Sequence, residues 1–273
     1  MAVYDLITNR IIGMLDKGII PWKRPWNVPM PQNFVSKREY QGVNVLLLSF
    51  TGFNSPYWLT YKQARDLGGH VKAGAKGLPV VFWNWIKVKG KGSEEDKSVP
   101  FLKYHTVFNL EQCEGIAVPD NNRAEIRPLE ECEKVFEGMP DKPALLHGGD
   151  KACYIPSKDT VLMPNKGNFE STEEYYSTLF HELAHATGHD KRLNRVSLIE
   201  PHAFGSETYS KEELIAEIGS SFLCSLTGIE NKTIDNQVGY ISSWLNRLKN
   251  DKKLIITASS HAQKAVDFIL NQQ

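Results

Sequence analysis

The 273-residue chain has no run of about 18 apolar residues, which excludes a membrane-spanning helix. It has only four cysteines, Cys113, Cys132, Cys153 and Cys224, and none belongs to a C-x-x-C pair. That spacing argues against both a disulfide framework and a cysteine-ligated zinc site. Met1-Ala2-Val3-Tyr4-Asp5 lacks the basic-then-apolar layout of a secretory signal, so a reduced, cytoplasmic setting is expected. The chain also lacks a phosphate-loop lysine signature and any primase or helicase motif, and it contains no internal repeat or low-complexity stretch.

What the chain does have is unevenly distributed. Its net charge is zero, yet residues 1–110 hold 15 Lys+Arg against 7 Asp+Glu, a net of +8, and residues 111–273 hold 17 against 25, a net of −8. The first 110 residues also carry 16 of the 28 aromatics, including five of the six tryptophans. A basic, aromatic-rich half joined to an acidic half predicts two modules with different partners. Turn residues cluster between Gly115 and Pro128, which sets the expected boundary: one domain over 1–120, a second over 128–273.

The patterning predicts an α+β protein. Tyr4 to Lys17 has helical apolar spacing and a Gly18 stop. The proline-rich stretch from Pro21 to Pro31 should run extended. Asn44–Phe50 and Thr60–Leu67 read as short helices. Pro79–Lys89 and Leu102–Leu110 read as strands of an antiparallel sheet, with Trp83 and Trp85 in its interior. In the second half a helix is expected around Leu129–Phe136, and a strand pair over Ala152–Ile155 and Thr160–Met163. Four further helices are expected over Ser171–Gly188, Ser210–Gly228, Val238–Leu248 and Ser260–Leu270. The second domain is therefore mainly helical.

The chemistry lies in the first two of those four helices. His181-Glu182-Leu183-Ala184-His185 places two histidines four residues apart, about 40° around a helix and about 6 Å along it. Two imidazoles so placed can converge on one ion, and Glu182 beside the first can take a proton from water activated there. A catalytic zinc site usually takes three protein ligands. His189 lies beyond the Gly188 break, and Lys191 stands where a metzincin has its third histidine. A carboxylate from Glu212-Glu213-Leu214-Ile215-Ala216-Glu217 remains. This stretch resembles the gluzincin pattern E-x-x-x-D/E, which implies Glu213 as ligand and Glu217 as the residue bracing a ligand histidine. Ser210 lies three residues before Glu213, so Glu213 could instead close a capping box and leave Glu217 as the ligand. Zinc suits two histidines and a glutamate, and manganese can occupy the same set. Tyr154, Tyr175, Tyr176, Tyr209 and His202 are the candidates for stabilising a reacting oxyanion.

In the basic half, cations alternate with aromatics. The candidate nucleic-acid contacts are Trp22, Lys23, Arg24, Trp26, Lys37, Arg38, Lys72 and Lys76. Single-stranded nucleic acid is bound by such mixtures, because bases stack on aromatic faces while Lys and Arg follow the phosphates.

Several stretches together resemble the ArdC-type antirestriction proteins of mobile elements, which are related to the N-terminal part of TraC-type plasmid primases. They include Ile20-Pro21-Trp22-Lys23-Arg24-Pro25-Trp26, Tyr40-Gln41-Gly42-Val43-Asn44, Gly74-Ala75-Lys76-Gly77, His181 to His189, Arg192-Leu193-Asn194-Arg195 and Glu212 to Glu217. The resemblance implies an N-terminal domain that binds single-stranded DNA and a C-terminal zincin-like metallopeptidase domain. It further implies protection of incoming DNA. The first expectation for the activity is a metal-dependent peptidase, tethered to single-stranded DNA by its first domain and acting on a DNA-associated protein. Family members often carry a bulky aromatic where Ala186 stands here. The competing expectation is a protein that occludes DNA and keeps the zincin fold as a structural unit.

Overall fold

The computed structural model describes residues 3–22, 30–49, 51–89, 96–117, 128–199, 207–229 and 237–272; within these, the side chains of residues 85–100, 128, 197, 199, 207 and 237–239 are not described. The expected extended run through Lys23, Arg24 and Trp26, the expected boundary segment and His202 lie outside the described residues.

The chain opens with helix α1 (Val3–Leu15), which buries Ile7, Ile11 and Leu15 along one stripe. Strand β1 (Gln32–Asn33), helix α2 (Val43–Ser49), strand β2 (Tyr57–Leu59), helix α3 (Tyr61–Asp66) and strand β3 (His70–Val71) follow. Thr60 caps α3 through a capping box with Gln63. A long hairpin, β4 (Leu78–Lys89) and β5 (Asp96–Asn109), then pairs antiparallel along its whole length, and β6 (Cys113–Glu114) pairs with β3. The strand order β1-β2-β5-β4 leaves β4 at an edge. That edge is closed at Val81 by Asn44 of α2, which donates to Val81 O at 2.8 Å and accepts from Val81 N at 2.7 Å. Pro79, two residues earlier, shares this outward orientation, where a residue without an N–H costs no ladder bond.

The hairpin is longer than its sequence pattern suggested, because β5 begins at Asp96 rather than Leu102. Its outer part projects beyond the core. Trp83, expected inside the sheet, is therefore 47% exposed, and Phe82, Phe101 and Tyr104 are exposed with it.

The second half starts with helix α4 (Pro128–Gly138) and a three-stranded sheet of β7 (Ala144–His147), β8 (Cys153–Ile155) and β9 (Thr160–Met163), in the order β7-β9-β8. The β8–β9 pair was anticipated; β7, which runs parallel to β9, was not. Helices α5 (Thr172–Ala186), α6 (Val196–Ile199), α7 (Glu207–Thr227), α8 (Gln237–Asn250) and α9 (Leu254–Ile269) complete the fold. Ser171 caps α5 by accepting from Glu174 N, while the Glu174 carboxylate accepts from Glu170 N instead of closing the box.

The two halves share one hydrophobic core. Ile7, Ile11, Leu46 and Val81 belong to the same buried cluster as Phe180, Ile215, Phe222 and Ile255. Trp22 is the deepest link. It is fully buried, so it has no face to offer a base, contrary to the expectation that it contacts nucleic acid. Its Nε1–H donates to Glu217 Oε2 at 2.8 Å and to the Tyr240 hydroxyl oxygen at 2.7 Å, and Tyr240 in turn donates to Glu217. A buried carboxylate without donors would be costly, and these two supply them.

Trp22→Phe keeps an aromatic ring but removes the donor to Glu217. It is expected to lower stability by about 1.5–3 kcal/mol in urea unfolding, the worth of a hydrogen bond to a charged or chargeable group. An unchanged midpoint would show that Trp22 contributes only its ring.

Candidate metal centre

The site forms where α5 crosses α7. Small residues allow the approach: a Cβ on Gly219 would meet the Ala184 methyl at 3.2 Å, so a larger side chain there would push the helices apart. With the helices this close, Nε2 of His181 and Nε2 of His185 lie 3.2 Å apart. The Glu213 carboxylate sits 3.5 Å from the first and 3.6 Å from the second. The three side chains bring ligand atoms within 4.8 Å of one another. Two ring nitrogens facing each other at 3.2 Å repel unless a proton or a cation lies between them. Ligands bound at 2.0–2.1 Å around a tetrahedral ion are roughly 3.3–3.4 Å apart, so the observed spacings fit a small divalent ion.

Helix α7 starts at Glu207, three residues earlier than expected, so Ser210 is a buried residue inside the helix and not its cap. The capping-box role for Glu213 thereby disappears. Glu217, one turn further on, does not brace a histidine as the sequence pattern suggested; its hydrogen-bond partners are Trp22 and Tyr240. Burial pushes its carboxyl up to about 7, against the opposing effect of the Tyr240 hydrogen bond.

The carboxylate that meets a histidine is Glu212, 3.4 Å from His185 Nδ1. A carboxylate there holds a proton on Nδ1 and leaves Nε2 to face the other ligands. Glu212 is itself locked by Arg195, whose Nε and Nη2 donate to its two oxygens at 3.1 and 2.5 Å. Arg195 also donates to Thr187 Oγ1 at 2.6 Å and to Ala184 O at 2.8 Å, placing its charge at the C-terminal end of α5. It passes against Gly188, where a Cβ would meet the guanidinium at 3.0 Å. Burial disfavours ionisation of Glu212, but hydrogen bonds to His185 and Arg195 outweigh it and hold the carboxyl down at about 2. Burial likewise opposes the charge of Glu213, and the two histidines hold it well below the usual carboxylate range.

Glu182 faces the same cleft, a cavity of about 460 Å³ also lined by Cys153, Tyr154, Tyr209 and the three clustered residues. Its Oε2 accepts from the Tyr154 backbone N–H at 2.7 Å, which ties the carboxylate to edge strand β8. Arg192 fixes that strand to the end of α5: it donates to Ala186 O at 2.7 Å and to the Tyr154 hydroxyl at 3.1 Å, and pairs with Asp159. Among the tyrosines, Tyr154 is bonded to Asp159, Tyr175 to His147 and Tyr176 to Glu133. Tyr209 also lines the cleft, where burial, the neighbouring Glu213 charge and a hydrogen bond to Glu213 push its hydroxyl up to about 12. Glu212 and Arg195 had no assigned role in the sequence reading; the signal was an arginine pair just past the histidine helix and a doubled glutamate at the ligand position.

Of the other expected DNA contacts, Lys37 lies over the Phe34 and Tyr57 rings at 4.2 and 4.8 Å, and Lys72 donates to Glu111 O. Arg38 and Lys76 are exposed. No helix among the described residues is long and apolar enough to cross a membrane.

A histidine pair on one helix, completed by a glutamate from the next and flanked by a carboxylate anchored on an edge strand, defines a zincin-like centre. The family model for zincin-like metallopeptidases matches residues 130–261, and that for the N-terminal domain of the anti-restriction factor ArdC matches residues 1–108. The metal-free crystal structure of the antirestriction protein ArdC from plasmid R388 is similar over 100% of this chain and 98% of that one, with 35% identity and a TM-score of 0.81. Its Mn(II)-bound structure aligns over the same shares with 34% identity and a TM-score of 0.79. The chain belongs to the ArdC antirestriction family. It is also 34% identical to DNA primase TraC of Escherichia coli over 98% of its own length, but spans only 27% of that relative.

Glu212→Gln is expected to weaken divalent-metal affinity by about 10–100-fold, as loss of a histidine's carboxylate partner does elsewhere. Glu217→Gln should leave the affinity unchanged. Competition against a chromophoric chelator reads both, and the reverse ranking would show that Glu217 supports the site.

Proposed function

We propose that this protein binds one divalent ion, zinc or manganese, through His181, His185 and Glu213, and cleaves a protein associated with single-stranded DNA, to which its first 120 residues contribute binding. In this reading the activity protects incoming DNA from restriction in the cytoplasm. The observation that carries it is the convergence of His181, His185 and Glu213 with Glu182 on one cleft. The ArdC relative solved with Mn(II) supports manganese as an occupant.

A divalent ion held there supplies Lewis acidity, which acidifies water and polarises a peptide carbonyl. Glu182 has one oxygen fixed by the Tyr154 amide, leaving Oε1 to accept the proton from attacking water and return it to the leaving amine. Tyr209, which lines the same cleft, is assigned the donor role toward the developing oxyanion. The cleft wall at β8 is backbone at a sheet edge, a surface that suits an extended peptide. The basic first half, with Arg38, Lys72 and Lys76 and the exposed aromatics of the hairpin, has the composition of a single-strand binder. Lys23, Arg24 and Trp26 belong to the same reading.

Glu182→Gln is expected to retain stoichiometric metal while losing peptide hydrolysis by about 10²–10⁴-fold, the usual worth of a general base. His181→Ala should lose the metal itself. Metal analysis with a labelled peptide pool measures the first two quantities, and a conjugation assay into a restricting host measures protection. Full protection by Glu182→Gln would leave DNA occlusion as the activity and remove proteolysis from the account.

A further inference from the structure

Two cavities away from the metal cleft meet at a single lysine. The first, of about 620 Å³, lies between β4, α2 and α9 and is lined by Tyr40, Phe82, Trp83, Arg38 and Lys264. Phe82 sits 6.4 Å from the Tyr40 ring and 5.8 Å from His105, and is 44% exposed. The wall from α9 is fixed to the first half by Gly42 N–H, which donates to Gln263 Oε1 at 3.1 Å. The second cavity, of about 610 Å³, lies on the other side of Lys264 and is lined by Lys211, His261, Asn194, Thr257 and Asp251.

The two differ in character. The first offers aromatic faces and amides, but also the carboxylates of Glu39 and Asp267, which repel phosphate and accept hydrogen bonds from exocyclic amines. The second sets Lys211 and Lys264 against the single carboxylate of Asp251. Neither Lys211 nor Lys264 has a carboxylate partner within salt-bridge distance among the described residues. His261 is held below its usual value by burial and by the charges of Lys211, Arg195 and Lys264. An aromatic slot beside a cationic channel is the pairing that stacks bases and follows phosphates. The run from Thr257 to Asp267 on α9 is roughly 15 Å long.

We propose that single-stranded DNA lies in this composite groove, with a base entering the Tyr40–Phe82–Trp83 slot and the phosphates following Lys264 toward Lys211. The site therefore belongs to both halves, with α9 as its floor. This rests on the single-stranded-DNA reading above and assigns its location. The strand's far end reaches Lys211 on α7, the helix whose other face carries Glu213.

Fluorescence anisotropy with a labelled oligo(dT) strand and the metal-loaded full chain tests the assignment. Phe82→Ala/Trp83→Ala is expected to weaken binding by roughly five- to 150-fold, the worth of a lost base stack, with the salt dependence kept. Lys264→Ala should lower the slope of log affinity against log salt by about 0.7, one phosphate contact on a single strand. Lys158→Ala, an exposed charge on the β8–β9 turn, is the control for overall charge, and melting temperature and metal content check the fold of each variant. If the wild type binds and both groove variants bind as it does, the groove assignment is overturned and the DNA reading stands. If the wild type does not bind the strand, the DNA reading falls and the groove assignment with it.

Discussion

The close crossing of α5 and α7 is the constraint on which the rest depends. His181 and His185 alone are two imidazoles on a helix; they become a site because Gly219 lets α7 approach to within contact of Ala184. An interior helical glycine costs about 1 kcal/mol relative to alanine, and here that cost is offset by a distance. Glu213 then reaches both histidines, and Glu212, one residue earlier, reaches the back of His185. A doubled glutamate thus serves two functions from one turn, with Arg195 holding the charge that would otherwise be buried alone.

The second organising feature is the absence of a clean division between the halves. Charge and aromatic content split the sequence near residue 110, yet α1, α2 and Trp22 are packed into the helical core of the second half. The Trp22–Glu217–Tyr240 cluster lies one turn beyond Glu213 on the same helix. Trp22 of the first half is thereby tied to the helix that carries Glu213, and the shared groove along α9 gives a second physical link between the halves.

Much of the centre was legible in the sequence. The H-E-x-x-H spacing identifies its helix, Ser171 its start and the glutamates of the next predicted helix its candidate partners. The α+β class and the presence of the hairpin, though not its length, were also legible, because period-two runs of Val, Ile and Trp are distinctive. The choice between Glu213 and Glu217 was not settled by spacing, since residues four apart share a helix face. The structure sets Glu213, not Glu217, beside the histidine pair, and the start of α7 at Glu207, which the sequence marks poorly, removes the capping alternative. Glu212 and Arg195 escaped notice because their roles exist only across a loop. Trp22 was misread for a related reason. Set among Lys, Arg and Pro it has the look of a contact residue, and its actual partner is 195 positions away. Trp83 failed in the opposite direction, because alternation does not tell how far a hairpin extends past its core. β7 is four residues long and mostly exposed, too short and too polar in setting to carry a pattern.

The most direct test of the central claim is anomalous diffraction at the metal edge from crystals grown with zinc or manganese. One peak is predicted, bonded to Nε2 of His181, Nε2 of His185 and the Glu213 carboxylate, with Glu212 retained against His185 Nδ1. A peak bonded to Glu217, or no peak at the histidine pair in metal-replete crystals, would contradict it.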